Sequence, residues 1–162
     1  MIRLFALALA ACCYFHPGLA RAEEASAKQL VGTWKLDSWQ VQYVGEDARE
    51  PFGAKPNGRL IIAPDGYWTV MITKANRKPA TNNAERASLL KSMLAYSGKF
   101  TIDGDKITTG VDLSWNEVNS GKNQSRFFKM EGDKLVIRTP EQASVLTPGK
   151  RVVSTFTWER EH

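Results

Sequence analysis

The chain has 162 residues, of which 43% are hydrophobic, and this length and composition fit one folded domain. The formal net charge is +5, but Lys and Arg are scattered rather than clustered as a phosphate-binding surface requires, which argues against a nucleic-acid partner. Cys12, Cys13 and His16 lie near the start, and the other histidine, His162, is the last residue. Disulfides, thiolate nucleophiles, histidine triads and zinc sites are therefore excluded from the predicted domain, and we expect no metal or cofactor.

Residues 1–22 have the pattern of a cleaved signal peptide. Arg3 gives a positive start, 4–15 form a short apolar run, and 20–22 (Ala-Arg-Ala) offer a cleavage site between small residues. We expect export to the periplasm or beyond the cell. The mature chain would begin with a flexible lead-in at 23–29, followed by the domain at 30–162.

An alternative to simple cleavage is a lipid anchor. Leu9-Ala10-Ala11-Cys12 resembles a bacterial lipobox, which would attach the chain to the envelope through Cys12. The residues that follow Cys12 stay apolar, whereas the tether of a lipoprotein is normally polar. Contact with a membrane is expected only if this anchor forms.

The first predicted strand changes face partway along. Its apolar residues are Trp34 and Leu36, then Trp39, Val41 and Tyr43, so the alternation shifts at Asp37-Ser38. A strand that changes face in this way is bulged or sharply bent. Gly32, just before Trp34, would let the backbone pass close to another element.

A hairpin and a helix follow in the middle of the chain. Residues 58–73 form the hairpin, with Pro64-Asp65-Gly66 as its turn. Residues 84–96 are predicted to be helical, because Leu89, Leu90, Met93 and Leu94 recur at helical spacing. Asn82 and Asn83 are candidate caps, and Ser97-Gly98 would end the helix.

Residues 100–160 are predicted to form five strands with alternating apolar residues. Turns at Gly104-Asp105 and Gly132-Asp133 separate them, and a loop at 140–150 precedes the last strand. The residues expected to share an inward face are Ile107, Thr109, Val111, Leu113 and Trp115, then Arg126, Phe128 and Met130, and finally Val152, Ser154, Phe156, Trp158 and Arg160.

Together these elements make eight strands in hairpin order, with one helix inserted between the third and the fourth. Antiparallel strands that have one apolar face and no other helix to cover it are best satisfied by closing into a barrel. We therefore predict an all-β fold, an eight-stranded antiparallel up-and-down barrel. Arg160, at its end, is expected to lie over Trp34 in a cation–π contact that ties the last strand to the first.

The order of short motifs across the domain resembles that of the lipocalin-like domain family, the bacterial and fungal branch of the calycin β-barrels. These motifs are Leu30-Val31-Gly32-Thr33-Trp34, Pro51-Phe52-Gly53, 56–61, Asp65-Gly66, 95–98, 126–128, Gly132-Asp133, Thr139-Pro140 and Trp158-Glu159-Arg160. The resemblance implies a small barrel around an apolar pocket. It implies no particular function, because the fold hosts carriers and enzymes alike.

The first functional hypothesis is a monomeric carrier or sensor that binds a small hydrophobic molecule inside the barrel. The candidate ligand-binding residues are Trp39, Tyr43, Met71, Tyr96, Trp115, Arg126, Phe128 and Phe156. Arg126 would need a partner if buried, either a carboxylate of the ligand or an internal Asp or Glu. In the alternative, these aromatic side chains simply fill the barrel.

Two other classes of function remain open. One is an isomerase or cyclase that uses Tyr43, Tyr67 or Tyr96 with Asp37 or Glu117, although no recognisable spacing pairs these groups. The other is a module that presents its outer surface to another envelope protein. The outer strand faces are rich in Thr, Lys and Asp, which argues against a large apolar docking patch.

Overall fold

The computed structural model describes residues 27–144 and 147–161. The predicted signal peptide with Cys12, the first part of the predicted lead-in (23–26) and His162 lie outside the described residues.

Eight long antiparallel strands close into a barrel, as predicted. Sequence neighbours pair with each other, and the first and last strands also pair, which closes the sheet. Two short strands, the second and the ninth, extend the sheet beside the first and the last. The strands are β1 (Gly32–Tyr43), β2 (Ala48–Arg49), β3 (Asn57–Ile62), β4 (Tyr67–Thr73), β5 (Met93–Asp103), β6 (Lys106–Ser114), β7 (Asn123–Glu131), β8 (Lys134–Arg138), β9 (Gln142–Ala143) and β10 (Arg151–Arg160).

The barrel has two different ends because successive strands run in opposite directions. One end, the closed end, carries residues 27–31 and the tight turns at 63–66, 104–105 and 132–133. The other, the loop end, carries the four longer connections, which lie between β1 and β3, β4 and β5, β6 and β7, and β8 and β10. The longer loops leave room for a cavity, whereas the tight turns do not.

The closed end is sealed by Trp34, which is fully buried. Its indole Nε1 donates to the carbonyl of Leu30 at 2.9 Å, and the guanidinium carbon of Arg160 lies 4.1 Å from the centre of its ring. Arg160 also donates to the carbonyls of Val31 (2.8 Å) and Gln29 (2.5 Å). The predicted contact between Arg160 and Trp34 is confirmed and joins the last strand to the first. The two hydrogen bonds of Arg160 also join the last strand to the residues before β1.

Residues 27–30 are helical and lie against this end, where Leu30 is almost completely buried. This differs from the flexible lead-in expected up to residue 29. These residues are held against the barrel because Arg160 donates to the carbonyl of Gln29 and the indole of Trp34 donates to the carbonyl of Leu30.

The predicted change of face in β1 is confirmed. Leu36 pairs with Trp158 and Ser38 with Thr157, so Asp37 is the extra residue of a bulge. Trp34 and Leu36 before the bulge, and Trp39 and Val41 after it, are all buried as a result.

A second bulge, in β6, was not predicted. Ser97 pairs with Leu113 and Gly98 with Val111, so Asp112 is the extra residue. The bulge moves Leu113 to the outer face, where it is 69% exposed. The expectation that Leu113 shares the inward face of Ile107, Thr109 and Val111 is therefore wrong.

The helix, α1 (Asn83–Lys91), is shorter than predicted. Asn82 caps it by accepting from the backbone N–H of Glu85 at 2.9 Å. The prediction that it continues to Tyr96 is wrong, because from Met93 the chain pairs with β4 as strand β5. Ser97 and Gly98 therefore lie inside a strand rather than at a helix end. Pairing with a neighbouring strand outweighed the local helical spacing.

Candidate functional site

A cavity of about 390 Å³ lies at the loop end of the barrel. Its lining runs from buried strand residues to the exposed Lys91 at the end of α1, so it reaches solvent between the loops. Its volume lies within the usual range for small-molecule sites. The lining residues are Trp39, Val41, Phe52, Lys91, Met93, Leu94, Trp115, Asn116, Arg126, Thr139, Gln142, Ser144, Val152, Ser154 and Phe156.

Aromatic rings form one wall of the cavity. Trp39 stacks on Phe156, with ring centres 5.2 Å apart, and Phe52 meets Trp39 edge-to-face at 4.5 Å. Phe156 continues this row toward Trp158, at 6.5 Å. The indole N–H of Trp39 is buried and has no hydrogen-bond acceptor among the described residues. Stacked, well-packed rings of this kind form a preorganised apolar surface.

The polar part of the wall is mostly neutral and already hydrogen-bonded. Thr139 is buried, and its Oγ1 accepts from the backbone N–H of Ser154 at 2.9 Å. The charged groups that line the cavity are Lys91 and Arg126, and no Asp or Glu of the described chain lines it. The cavity is therefore apolar with a net positive charge.

Below the cavity the barrel is filled. A void of about 20 Å³, roughly enough for one water molecule, remains among residues that include Trp68, Tyr96 and Trp158. Arg126 and Phe156 line both this void and the cavity. Side chains thus fill the closed half of the barrel, as the alternative hypothesis expected, while the loop half keeps open space.

Four of the predicted ligand-binding residues line the cavity: Trp39, Trp115, Arg126 and Phe156. Tyr96 is buried beside the small void instead. Phe128 is half-buried and packs against the core without lining the cavity.

Tyr43 is buried near the loop end, but it is occupied by protein contacts. Its hydroxyl shares a hydrogen bond of 2.8 Å with Thr147 Oγ1. The charged groups of Arg49 and Lys150 lie 5.7 and 5.4 Å from its ring centre. Tyr43 therefore holds the loop before β10 in place beside the cavity.

The expectation that Met71 faces the interior is wrong. Trp68, Val70 and Ile72 are the inward residues of β4, so Met71 lies between them on the outer face and is 53% exposed. There it contributes, with the outward Leu113, to a shallow groove across β4, β5 and β6.

Three of the side chains suggested for acid–base catalysis lie outside the cavity. Asp37 binds Lys134 at 3.0 Å on the outside of the barrel, and Glu117 accepts from the Ser120 hydroxyl in an exposed 3₁₀ turn. Tyr67 is 38% exposed on the outer face of β4. None of these residues lines the cavity.

Several lining residues were not predicted as site residues. Val152 and Ser154 lie on the inward face of β10, as the alternation along this strand predicted. These two residues could therefore have been found from the sequence. Phe52 comes from the loop between β2 and β3, and Lys91 from the helix end. Loops and helix ends show no alternation of inward and outward residues, so no such pattern in the sequence marks Phe52 or Lys91 as a lining residue.

The profile of the lipocalin-like domain family matches residues 31–161 of the chain. The protein belongs to the lipocalin-like domain family. This match agrees with the fold, a closed barrel with a cavity at one end, and supports a ligand-binding protein of lipocalin type in general terms.

No curated protein matches the sequence of this lipocalin-like protein. A crystal structure of an uncharacterized protein from Bacteroides eggerthii is similar over 81% of this chain and 98% of its own, with 12% identity and a TM-score of 0.40.

Within residues 27–144 and 147–161, no helix is both long and apolar enough to cross a bilayer. The same residues contain no cluster of three or more His, Cys, Asp or Glu side chains able to hold a metal ion.

Proposed function

We propose that this lipocalin-like protein is an exported, non-catalytic carrier or sensor that binds a small hydrophobic molecule in the cavity at the loop end. The observation that carries the proposal is the aromatic wall of Phe52, Trp39 and Phe156 beside about 390 Å³ of open space. Burying an apolar ligand there releases about 25 cal/mol for each Å² removed from water.

The lining favours binding over catalysis. A general acid–base mechanism needs a titratable pair within reach of the substrate. Among the described residues, the charged groups of the lining are two cations, Lys91 and Arg126, with no carboxylate beside them. A wall of this kind can hold and orient a molecule but offers no evident proton acceptor.

The first experiment is native mass spectrometry of the protein purified from its own host, followed by organic extraction. A stoichiometric small apolar molecule is expected. The protein stripped of ligand should then show a change in tryptophan fluorescence on rebinding, because Trp39 and Trp115 line the cavity. An empty protein that also binds no member of a panel of small apolar compounds would contradict the proposal.

A cavity-filling variant identifies the site. Ser154→Phe places a ring in the cavity, whereas Thr155→Phe, one residue along β10, places the same ring on the outer face. Binding should be lost in the first variant and kept in the second. Equal binding by both would place the ligand elsewhere.

The export part of the proposal rests on the signal-like residues 1–22. The intact mass of the protein from its host should correspond to a chain that begins at Glu23. A mass that instead shows a lipid on Cys12 would support the anchored alternative, and an unprocessed chain would contradict export.

A further inference from the structure

Arg126 is a buried cation in the wall of the cavity. It lies on the inward face of β7, is only 9% exposed, and lines both the cavity and the small void below it. A charge taken out of water at such a position is costly unless other groups compensate it.

The protein compensates this charge only with neutral oxygens. Nη1 donates to the carbonyl of Ser125 at 2.7 Å, and Nη2 donates to Oε1 of Gln124 at 3.1 Å. A guanidinium carries five N–H donors, so these two bonds leave three of them for other acceptors. The two bonds also fix the orientation of the guanidinium before any ligand arrives.

No described carboxylate neutralises Arg126. It forms no ion pair with any Asp or Glu of residues 27–144 and 147–161. The second possibility raised by the sequence, an internal acidic partner, is thus absent from the described part of the chain. Lys91, at the opening of the cavity, also forms no ion pair with a described Asp or Glu, and this adds to the positive charge.

We infer that Arg126 binds the carboxylate of the ligand, so that the molecule carried is an apolar acid rather than a neutral hydrocarbon. This inference rests on the proposed function and specifies its ligand. The planar guanidinium matches the two oxygens of a carboxylate, and the pair is strongest where water is excluded. The apolar body of the ligand packs against Trp39, Phe52 and Phe156.

The test compares three probes of equal chain length on the ligand-free protein: decanoate, decanol and decylamine. Calorimetry or tryptophan fluorescence at neutral pH and fixed salt gives each dissociation constant. The wild type should bind decanoate about tenfold to hundredfold more tightly than decanol, as expected for a charge-assisted hydrogen-bonded pair. Protonated decylamine should bind most weakly.

Variants test whether Arg126 causes the preference for decanoate over decanol. Arg126→Met removes the charge and keeps an apolar side chain, so decanoate and decanol should then bind about equally. Arg126→Lys should restore part of the preference. Arg138→Met is the matched control, because Arg138 is exposed on β8, the neighbouring strand, and its loss changes the net charge equally. It should leave the preference intact.

The outcomes separate this inference from the proposed function. Equal affinity of the wild type for decanoate and decanol overturns the role of Arg126 while binding in the cavity stands. A preference that survives Arg126→Met but disappears in Lys91→Met overturns it as well. Binding of none of the probes counts against both proposals. Should Arg126→Met fail to fold, Lys91→Met decides the inference: a preference for decanoate that persists in this variant supports Arg126, and one that is lost overturns its role.

Discussion

Gly98 on β5 and Gly110 on β6 approach each other so closely that a side chain on Gly98 has no room. A Cβ built on Gly98 would lie 1.9 Å from the carbonyl oxygen of Gly110, far inside any real contact. The approach occurs at the bulge where Asp112 is the extra residue of β6. It is this bulge that turns Leu113 outward, at 69% exposure.

Gly98→Ala should therefore destabilise the barrel strongly, by about 2–4 kcal/mol, in the range of overpacking and backbone strain. Urea denaturation followed by circular dichroism measures it. The matched control is Gly110→Ala, because a Cβ there would meet its nearest atom at 3.6 Å, an ordinary contact. Similar losses of stability in both variants would contradict the finding that Gly98 lies too close to Gly110 to carry a side chain.

Trp34→Ala should cost about 3–5 kcal/mol, as other deletions of buried tryptophans do. Trp34 is fully buried and covered by Arg160, so the substitution leaves a cavity at the closed end. Trp115→Ala is a suitable control, since Trp115 is only half-buried and should cost less. An unchanged melting temperature in Trp34→Ala would refute the role of this residue in closing the barrel.

Arg160→Met should cost about 1–2 kcal/mol, combining the cation–π contact with the loss of two hydrogen bonds to backbone carbonyls. The loss should appear first as faster hydrogen exchange in residues 27–31, which those bonds hold against the barrel. If exchange there stays slow, other contacts hold this segment.

The pKa of Tyr43 is lowered, chiefly by its hydrogen bond with Thr147 and further by a hydrogen bond with Ser144 and by Arg49 and Lys150, although burial opposes the change. A lowered pKa in the folded state means that folding favours the tyrosinate. The resulting stabilisation is fully present above the pKa of the unfolded state, about 10. It is lost as the pH falls through the pKa of the folded state, and it is absent at neutral pH.

Thr147→Val should raise the pKa of Tyr43 and reduce this alkaline stabilisation, while stability at neutral pH changes little through this effect. Tyrosinate absorbance during a pH titration measures the pKa, and Tyr43→Phe identifies which part of the signal belongs to Tyr43. A titration curve unchanged by Thr147→Val would rule out the hydrogen bond as the main cause.

Helix α1 should open independently of the barrel, because none of its residues is buried. Asn82→Ala removes the cap, which is worth about 1 kcal/mol to the helix. We expect faster hydrogen exchange at 83–91 with little change in the urea midpoint of the whole protein. A matching drop in global stability would show that the helix is coupled to the barrel.

The sequence by itself determined the strands and much of the interior, since alternation reports directly which face is apolar. The face change at Asp37, the shared face of Val152, Ser154, Phe156 and Trp158, and the contact of Arg160 with Trp34 all follow from such patterns. The family resemblance was likewise readable from motifs that lie in strands and turns.

Only the tertiary structure decided the remaining features, because they depend on pairing between distant segments. Met93 to Tyr96 have helical spacing but join β5, since β4 offers them a partner strand. Met71 lies outside because Trp68, Val70 and Ile72 take the inward positions of β4. Loop residues such as Phe52 and the end of α1 reach the cavity only once the barrel has closed, and no local pattern encodes that arrangement.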